Sequence, residues 1–266
     1  MSLLGVDVGT GGCKAAAFSV EGACIAEAYR EYETIHPGPG LAELDAREVW
    51  AAVSDAIAET ASASGEDPIS AVCVSSMGEA MVPVTSDREI LGNCILQVDP
   101  RGGEYADRLG EDFDREELFA INPNILGPSY SLPKLMWTRD REPDLFDRAD
   151  YFLLWGDLVG FMLGCEPVTS YSLANRTLLF DIRAEDWSDR LLGWAGIPRA
   201  KLARLAASGT PVGTIAAGAA DRLGLPADTV FVVGGHDQCC NSLGAGILSE
   251  GTAVCGIGTV ECITPT

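Results

Sequence analysis

A glycine-rich segment near the start of the chain combines residue types that could bind a phosphate and a metal ion. Residues 7–14 read Asp-Val-Gly-Thr-Gly-Gly-Cys-Lys. Glycines let backbone N–H groups approach phosphate oxygens without a Cβ clash, so Gly9 and its neighbours could cradle a phosphate. Thr10 adds a hydroxyl and Lys14 a positive charge, while Asp7 could hold Mg²⁺ through water. The segment is not a P-loop, because the sequence contains no GxxxxGK[S/T]. The alternative is an ordinary hairpin turn with a solvated aspartate.

A second candidate carboxylate follows an apolar run late in the chain. Residues 234–238 read Gly-Gly-His-Asp-Gln and precede a helical pattern. This order puts Asp237 at the carboxyl end of a strand, where the ligand sites of α/β proteins lie. An aspartate there could accept a proton from a substrate hydroxyl. Helix capping is the alternative, because aspartate is a common N-cap residue.

Two further segments offer groups that could bind sugar hydroxyls. Residues 75–79 read Ser-Ser-Met-Gly-Glu just after a predicted strand, and Glu79 could accept hydrogen bonds from hydroxyls. A solvent-facing loop is the alternative for this segment. Asp99 and Arg101 are two residues apart and could bind polyol hydroxyls or pair with each other. We expect both duties, with Asp99 nearer to the sugar.

The order of the elements that must position these groups predicts a mixed sheet. The first part of the chain reads as three strands, a helix and a fourth strand, which begins a mixed rather than an all-parallel sheet. The helix can be capped by Asp45 and has Val49, Val53 and Ile57 at helical spacing. Strands are predicted at 3–8, 13–20, 23–32, 69–75 and 229–234 and twice within 251–264, and helices at 45–63, 132–138, 157–163, 216–223 and 241–248.

The composition indicates a folded, acidic protein. Nearly half of the 266 residues are apolar, which is enough for a sizeable core. The formal net charge of −21 repels phosphate backbones and anionic lipid, so we expect neither nucleic acid nor membrane as a partner. The nine cysteines include no CxxC pair, which favours reduced thiols over a zinc site. The N-terminus lacks a signal-peptide layout and no uncharged stretch is long enough for a membrane span, so we predict a cytoplasmic location.

Taken together and in this order, the motifs resemble those of the FGGY carbohydrate kinase family, and the resemblance covers essentially the whole chain. It implies an α/β, RNase-H-like domain of the actin-like ATPase class, which we expect to contain a mixed five-stranded sheet. The segments that carry the resemblance are residues 7–14, 76–79, 96–101, 132–137, 172–181, 234–238 and 256–259.

The resemblance also implies a reaction and a set of roles. The reaction is ATP-dependent phosphorylation of a small sugar or polyol, with ATP and Mg²⁺ as cofactors and Asp237 as the catalytic base. Phosphoryl transfer depends mainly on positioning and charge stabilisation. The cofactor-binding residues would be Asp7 (for Mg²⁺), Gly9, Thr10, Lys14, Gly258 and Thr259, and the substrate-binding residues would be Met77, Glu79, Asp99 and Asp237.

Two positions depart from the family pattern. Gln97 stands where Trp is common, and Gly78 stands where xylulokinases usually carry His in a Met-His-Gly run. The loop around Glu79 is more similar to members with Glu there, such as glycerol kinases and kinases of signalling sugars. Pentuloses, hexuloses, gluconate-like acids and polyols all remain candidate substrates.

The resemblance also implies a domain division, because family members are usually nearly twice this length and bind adenine in a second domain. We expect residues 1–250 to form the sugar-binding N-terminal domain and residues 251–266 to form the first hairpin of a truncated nucleotide-binding domain. On this expectation the chain alone binds ATP poorly. The strand edges at its end would be mobile or would pair with another copy, as in a homodimer.

Two other functions are compatible with the same cleft. The first is a non-catalytic sugar-binding module or regulator, which ATP turnover measured beside sugar binding would distinguish. The second is an actin-like ATPase or scaffold without sugar specificity. Glu79, Asp99 and Asp237 argue against the second function, and the sugar dependence of any ATPase activity would decide.

Overall fold

The computed structural model describes residues 1–65, 67–257 and 261–265 of the chain. Strands and helices alternate along it, and the α/β class predicted from the sequence is confirmed. In chain order the strands are β1 (Ser2–Val8), β2 (Gly12–Ser19), β3 (Cys24–Glu31), β4 (Glu43–Leu44), β5 (Ile69–Ser76), β6 (Val82–Val84), β7 (Cys94–Ile95), β8 (Tyr151–Leu153), β9 (Val168–Ser170), β10 (Phe180–Asp181), β11 (Asp186–Trp187), β12 (Arg204–Ala206), β13 (Pro211–Thr214), β14 (Val230–His236), β15 (Ala253–Ile257) and β16 (Glu261–Pro265). The helices are α1 (Ala46–Ala63), α2 (Gly103–Asp112), α3 (Arg115–Ile121), α4 (Ser131–Arg141), α5 (Pro143–Arg148), α6 (Trp155–Met162), α7 (Tyr171–Asn175), α8 (Asp189–Ala195), α9 (Ala217–Leu223) and α10 (Asp237–Gly244), and a 3₁₀ turn covers Arg199–Lys201.

One mixed sheet of six strands organises the molecule. Its order is β13-β14-β5-β1-β2-β3, with β1, β5 and β14 mutually parallel and the other three antiparallel to their neighbours. It contains all five strands that the sequence predicts for it. The sixth strand, β13, extends the sheet beyond the five strands expected. Its Pro211 and Gly213 disfavour a strand, and a register shift between them shows how an edge strand accommodates such residues.

Side-chain alternation decides which groups of the sheet stay accessible. In β1, Leu4, Val6 and Val8 are buried in the main apolar core, whereas Leu3 and Asp7 point to the other face and are exposed. Asp7 therefore lies near the carboxyl end of a strand without being enclosed by the core.

Helix α1 covers the buried face of the sheet, as predicted. The Asp45 side chain caps it by accepting hydrogen bonds from the backbone N–H groups of Arg47 and Glu48. Val49, Val53 and Ile57 recur at helical spacing and are almost completely buried. The capped, amphipathic pattern thus produces the helix expected from the sequence.

Helix α10 differs from its predicted position. The sequence predicts a helix at 241–248, but the helix begins at Asp237, directly after β14, and ends at Gly244. His236 is extended at the N-cap, and the chain leaves the helix through Gly246 at φ +79°. Apolar periodicity missed the first turn because its polar and thiol side chains carry little hydrophobic signal.

The last two strands, β15 and β16, pair antiparallel with each other, in agreement with the two short strands predicted there. They lie against α10, since a Cβ on Gly256 would be 3.3 Å from the side-chain nitrogen of Asn241. Gly258 and Thr259, the predicted phosphate contacts, lie between these strands in the sequence and outside the described residues.

A second apolar cluster supports the segments beside the sheet. It joins α4, α7 and α8 around buried side chains that include Leu132, Met136, Phe180 and Trp187. This cluster fixes the end of α7 and the residues that follow it. Within the described ranges, no helix is both long and apolar enough to cross a bilayer.

Candidate functional site

Three carboxylates meet at one edge of the central sheet. Strands β1, β5 and β14 are parallel, so their carboxyl ends share this edge. Asp7 is on β1, Glu79 follows β5, and Asp237 follows β14 directly. Ser75 of β5 is level with Asp7 on one side and with Gly235 on the other. The sheet thus brings together residues that are up to 230 positions apart in the sequence (7 and 237).

The Asp7 carboxylate is held by the neighbouring strand. The Ser75 hydroxyl donates a hydrogen bond to Asp7 Oδ1 at 2.9 Å. Although Asp7 is exposed by surface area, the protein around its carboxyl partly desolvates it and raises its pKa; the Ser75 hydrogen bond opposes the rise, and the charge of Asp237 adds to it. Asp237 is therefore close enough to influence the ionisation of Asp7.

Asp237 is the first residue of α10 and not its N-cap, which is His236. The Gln238 N–H donates to Asp237 Oδ1 at 2.6 Å, and His236 Nε2 lies 3.2 Å from the same oxygen. Burial lowers the pKa of His236 to about 4, with the positive charge of Arg176 adding to the effect, so this imidazole is neutral near pH 7. Burial also raises the pKa of Asp237. The capping alternative weighed from the sequence does not describe this position.

The two glycines before His236 allow β14 to reach this edge. A Cβ on Gly234 would lie 1.8 Å from the Val74 carbonyl oxygen of β5, so only glycine fits there. The His236 N–H donates to the Ser172 hydroxyl at 3.0 Å, which ties the strand end to α7. Ser172 was not singled out from the sequence, because a serine at the start of a short helix gives no distinct signal.

Glu79 has an unusual backbone conformation and a fixed side chain. Its φ is +62°, in the left-handed region that non-glycine residues seldom adopt. The Ala80 N–H donates to the Gly78 carbonyl at 2.6 Å, and the Ser131 hydroxyl donates to the Glu79 carbonyl at 2.6 Å. The carboxylate is buried, and burial raises its pKa. Backbone strain of this kind concentrates at functional sites, where the surroundings hold it.

Arg176 places a positive charge beside the carboxylates of this edge, and it was not selected from the sequence. Its Nε donates to Glu79 Oε1 at 2.7 Å, and its terminal nitrogen Nη2 pairs with the same oxygen. Its other terminal nitrogen, Nη1, donates to Asn124 Oδ1 at 3.0 Å, and the guanidinium stands 5.0 Å from the centre of the Tyr130 ring. The only sequence signal for Arg176 was its place in the 172–181 segment. Because Arg176 lies 97 positions after Glu79 in the sequence, no local pattern indicated that the two side chains pair.

The glycine turn after β1 is tight and partly open. The Gly9 N–H donates to the Gly12 carbonyl at 3.0 Å, and the Tyr32 hydroxyl donates to the Gly9 carbonyl at 2.6 Å. A Cβ on Gly11 would meet no other atom within 4 Å, so this backbone is accessible to a ligand. Thr10 is exposed beside it. The segment forms the hairpin turn between β1 and β2 and leaves glycine backbone open, and its binding of phosphate stays a prediction.

Lys14 is engaged elsewhere in this structure. Its ammonium lies 2.7 Å from a carboxylate oxygen of Glu27 on β3, and both side chains are exposed. An exposed pair of this kind contributes little to stability, so it can exchange for another anion. Lys14 shares a strand face with Asp7, which lies directly opposite it in the ladder.

Asp99 and Met77, two of the predicted substrate-binding residues, are not part of the group formed by Asp7, Glu79, Asp237 and Arg176. Asp99 is fully buried; Asp99 Oδ2 accepts from the Ala42 N–H at 2.7 Å, and Asp99 Oδ1 accepts from the Arg101 N–H at 2.8 Å. The Arg101 guanidinium donates to both oxygens as well, so the pairing duty expected for Asp99 is present, and its place nearer to the sugar stays a prediction. Met77 is 3% exposed, and its side chain belongs to the main core. Its N–H donates to the Val8 carbonyl, so its contribution is to fix the loop.

The donor set fits magnesium and phosphate. In the described part of the chain no group of three or more His, Cys, Asp or Glu residues is arranged to enclose a metal ion. Mg²⁺ commonly binds one or two carboxylates and completes its shell with water and phosphate oxygens. Asp7 offers such a carboxylate beside the glycine turn, where the backbone at Gly11 is open.

Comparison with known proteins gives the fold and the family. The domain model described as "FGGY family of carbohydrate kinases, N-terminal domain" matches residues 2–244. The xylulose kinase of Bacillus subtilis (strain 168) is 32% identical over 259 residues, which are 97% of this chain and 52% of that protein. An autoinducer-2 kinase of Salmonella typhimurium is 31% identical over 262 residues, covering 96% of this chain and 49% of that protein. The chain therefore spans about half the length of these curated relatives.

A solved structure gives the same result. The crystal structure of xylulose kinase from Rhodospirillum rubrum superposes with a TM-score of 0.93 at 26% identity, covering 99% of this chain and 54% of that one. The sugar-kinase fold inferred from the sequence is thereby confirmed. The extent of the family match, from the first strand to the end of α10, leads to one conclusion: the chain belongs to the FGGY family of carbohydrate kinases.

Proposed function

We propose that this chain forms the sugar-binding part of an enzyme that phosphorylates a hydroxyl of a small sugar or polyol with MgATP. The observation that carries the proposal is the meeting of Asp7, Glu79 and Asp237 at the carboxyl edge of the sheet, beside an accessible glycine turn. The relatives at 31–32% identity carry the names xylulose kinase and autoinducer-2 kinase, which supports the same class of reaction.

Asp237 is proposed as the catalytic base. It lies at the start of α10, where one carboxylate oxygen accepts from Gln238 and is close to His236. The neutral imidazole leaves the negative charge of Asp237 available for a substrate proton. Because burial raises its pKa, Asp237 is a stronger base than a solvated aspartate. It would accept the proton of the attacking hydroxyl as that oxygen bonds to the γ-phosphorus of ATP and the bond from this phosphorus to the departing ADP oxygen breaks.

Asp7 and the glycine turn are proposed to hold the nucleotide phosphates. Bound MgATP supplies the phosphoryl group and neutralises the charge that develops during transfer. Asp7 would hold Mg²⁺ through water, and the backbone around Gly9 and the Thr10 hydroxyl would donate hydrogen bonds to phosphate oxygens. Lys14 would leave Glu27 to contact phosphate. Gly258 and Thr259 are proposed as the second set of phosphate contacts.

Glu79 is proposed to accept hydrogen bonds from substrate hydroxyls. The loop that carries it is fixed by the Met77 N–H and the Ser131 hydroxyl, so the carboxylate is positioned before the substrate arrives. Asp99 is proposed to act indirectly. Its bonds to Ala42 and Arg101 hold the loop that borders the site.

We also propose a domain boundary near residue 250. The family match ends at residue 244, which is also the last residue of α10. In the described residues β15 and β16 pair with each other and not with the six-stranded sheet. Residues 1–250 would thus form the sugar-binding domain and 251–266 the first hairpin of the nucleotide-binding domain.

The substitution Asp237→Asn tests the proposal. It keeps the shape of the side chain but cannot accept the proton, so turnover should fall about 100-fold or more while sugar affinity stays within a few-fold. Turnover is measured as ADP release with a panel of ketoses and polyols, in the protein that includes the proposed nucleotide-binding domain, and affinity is measured by calorimetry. The matched control is Asp221→Asn, which changes an exposed aspartate on α9.

Three outcomes separate the alternatives. Near-normal turnover in Asp237→Asn would refute the role of the base. Saturable sugar binding without any sugar-dependent ADP release would favour a non-catalytic sugar-binding module. A rate of ADP release that does not depend on the presence of a sugar would favour an actin-like ATPase.

A further inference from the structure

The Arg176 side chain lies directly over the backbone of Gly78. A Cβ added to Gly78 would be 2.8 Å from Arg176 Cγ, 2.9 Å from Arg176 Cβ and 3.1 Å from His236 Cδ2. Contacts below 3.0 Å cannot be kept, so any larger residue at position 78 displaces Arg176 or His236. Residue 78 and Arg176 therefore compete for one space, and glycine gives that space to the arginine.

Arg176 restrains the side chain of Glu79, whereas other contacts restrain its backbone. The left-handed turn and the Ser131 hydroxyl fix the main chain of Glu79, and two nitrogens of Arg176 fix its carboxylate. Asn124 holds the remaining end of the guanidinium. A planar guanidinium with donors on two sides can orient a carboxylate in this way, whereas a lysine cannot.

The charges at this edge are mostly negative. Asp7, Glu79 and Asp237 are three carboxylates, and the one guanidinium that faces them, Arg176, already donates to Glu79 and Asn124. The Lys134 ammonium is turned away, since it donates to the backbone carbonyls of Asp99 and Pro128. A substrate at this edge therefore meets hydrogen-bond acceptors with negative charge. The described cations beside it already have protein partners, which are Glu79 and Asn124 for Arg176, two backbone carbonyls for Lys134 and Glu27 for Lys14.

We propose that Arg176 is a positioning residue that orients Glu79, and that the resulting site selects uncharged polyhydroxylated substrates over sugar acids. The inference rests on the proposed function and names the substrate class for it. Substrate hydroxyls donate to Glu79 and Asp237, whereas a substrate carboxylate would lie among like charges in a partly desolvated site. Gly78 is the residue that admits Arg176 and so determines this selectivity.

Matched alcohol and acid pairs test the selectivity. Binding of glycerol and glycerate, xylitol and xylonate, and glucitol and gluconate is measured by calorimetry. The wild-type chain should bind the alcohol at least about tenfold more tightly in any pair that binds. Glu79→Gln removes one charge and releases Arg176, so the preference should fall by about tenfold or reverse.

The matched control is Glu117→Gln, which also breaks a Glu–Arg pair, with Arg190, on the protein surface. It should leave the preference unchanged. If the wild-type chain binds an acid as tightly as its alcohol, the inference is wrong while the proposed function stands. If no member of any pair binds, nor any ketose of the earlier panel, the proposed function itself is wrong.

The pH dependence of sugar binding tests the positioning role. Arg176 lowers the pKa of both Glu79 and Asp237 against the effect of burial. Arg176→Gln should therefore raise both values, so affinity for the preferred alcohol is lost at a higher pH on acidification. Arg176→Lys keeps the charge and should keep that midpoint, but it lacks the planar fork that orients Glu79, so its affinity above the midpoint should still fall below that of the wild type. The other titratable groups near these two carboxyls are Asp7, His236, Lys134 and Cys239.

Gly78→Ala provides an independent check, because it should displace Arg176 and shift the midpoint in the same direction as Arg176→Gln. Gly218→Ala is the control, since a Cβ there meets no atom within 4 Å. Urea unfolding of each variant confirms that it is folded at the start of the titration. A folded Gly78→Ala or Arg176→Gln variant with the wild-type midpoint would overturn the positioning role.

Discussion

Gly234→Ala should disrupt the sheet at the point that positions Asp237. A Cβ on Gly234 would lie 1.8 Å from the Val74 carbonyl oxygen and 2.6 Å from its carbonyl carbon. Both atoms belong to the backbone of β5, a central strand, so no side-chain rotation can relieve the contact. The register between β14 and β5 already shifts between Val232 and Gly235, which shows that the strands meet irregularly here.

The size of the effect follows from the required displacement. A carbon and an oxygen that are not bonded approach to about 3.3 Å, so the 1.8 Å contact demands a shift of about 1.5 Å between the strands. Neighbouring strands are about 4.8 Å apart, so such a shift breaks ladder hydrogen bonds. Overpacking alone costs about 1–3 kcal/mol. We therefore expect a loss of about 3 kcal/mol or more in the free energy of unfolding.

The assay is urea unfolding followed by circular dichroism. With a slope of about 3 kcal/mol per M, the Gly234→Ala midpoint should fall by about 1 M or more. The control is Gly218→Ala in α9, where the added Cβ meets nothing within 4 Å and the midpoint should stay or rise slightly. A Gly234→Ala variant with the wild-type midpoint and slope would refute the argument that this glycine is required by close strand approach.

Two further variants test buried carboxyls. Asp99→Asn should lower the free energy of unfolding by about 2 kcal/mol, because it removes the charge that accepts hydrogen bonds from Arg101 and leaves Glu43 as the remaining ionic partner of that guanidinium; an unchanged urea midpoint would contradict this. Burial raises the pKa of Asp157 to about 8, so the folded chain keeps a proton that the unfolded chain loses near pH 4. Stability should therefore fall from about pH 4 to pH 8, by up to about 1.4 kcal/mol per pH unit. Asp157→Asn should remove that slope, and a wild type without it would show that Asp157 is ionised.

Local patterns were sufficient to predict most of the sheet and its main helix. Apolar runs separated by turns predicted β1, β2 and β3, and the Asp45 cap with apolar residues at helical spacing predicted α1. They failed at β13, where proline and glycine disfavour a strand, and at the start of α10, whose first turn is polar. At β13, pairing with β14 outweighs the local preference against a strand. At α10, the helix continues directly from the end of β14 and so includes a polar first turn.

Within the site, the sequence alone was sufficient to identify the carboxylates at the strand ends. Asp7 and Asp237 are marked by the apolar runs before them and the glycines beside them, and this local pattern places each at the carboxyl end of a strand. The parallel pairing of β1, β5 and β14 in the structure then brings these two strand ends to one edge of the sheet. The ordered motifs also identified the family that the comparison confirmed.

The bonding partners of the other polar residues became known from the three-dimensional structure. Asp99 and Glu79 are both carboxylates in loops after strands, yet one is enclosed by Arg101 and Ala42 and the other faces Arg176 across 97 positions of sequence. No local pattern distinguishes the two cases. A carboxylate takes whichever partners the packing brings within hydrogen-bond distance, and that depends on contacts between elements far apart in the chain.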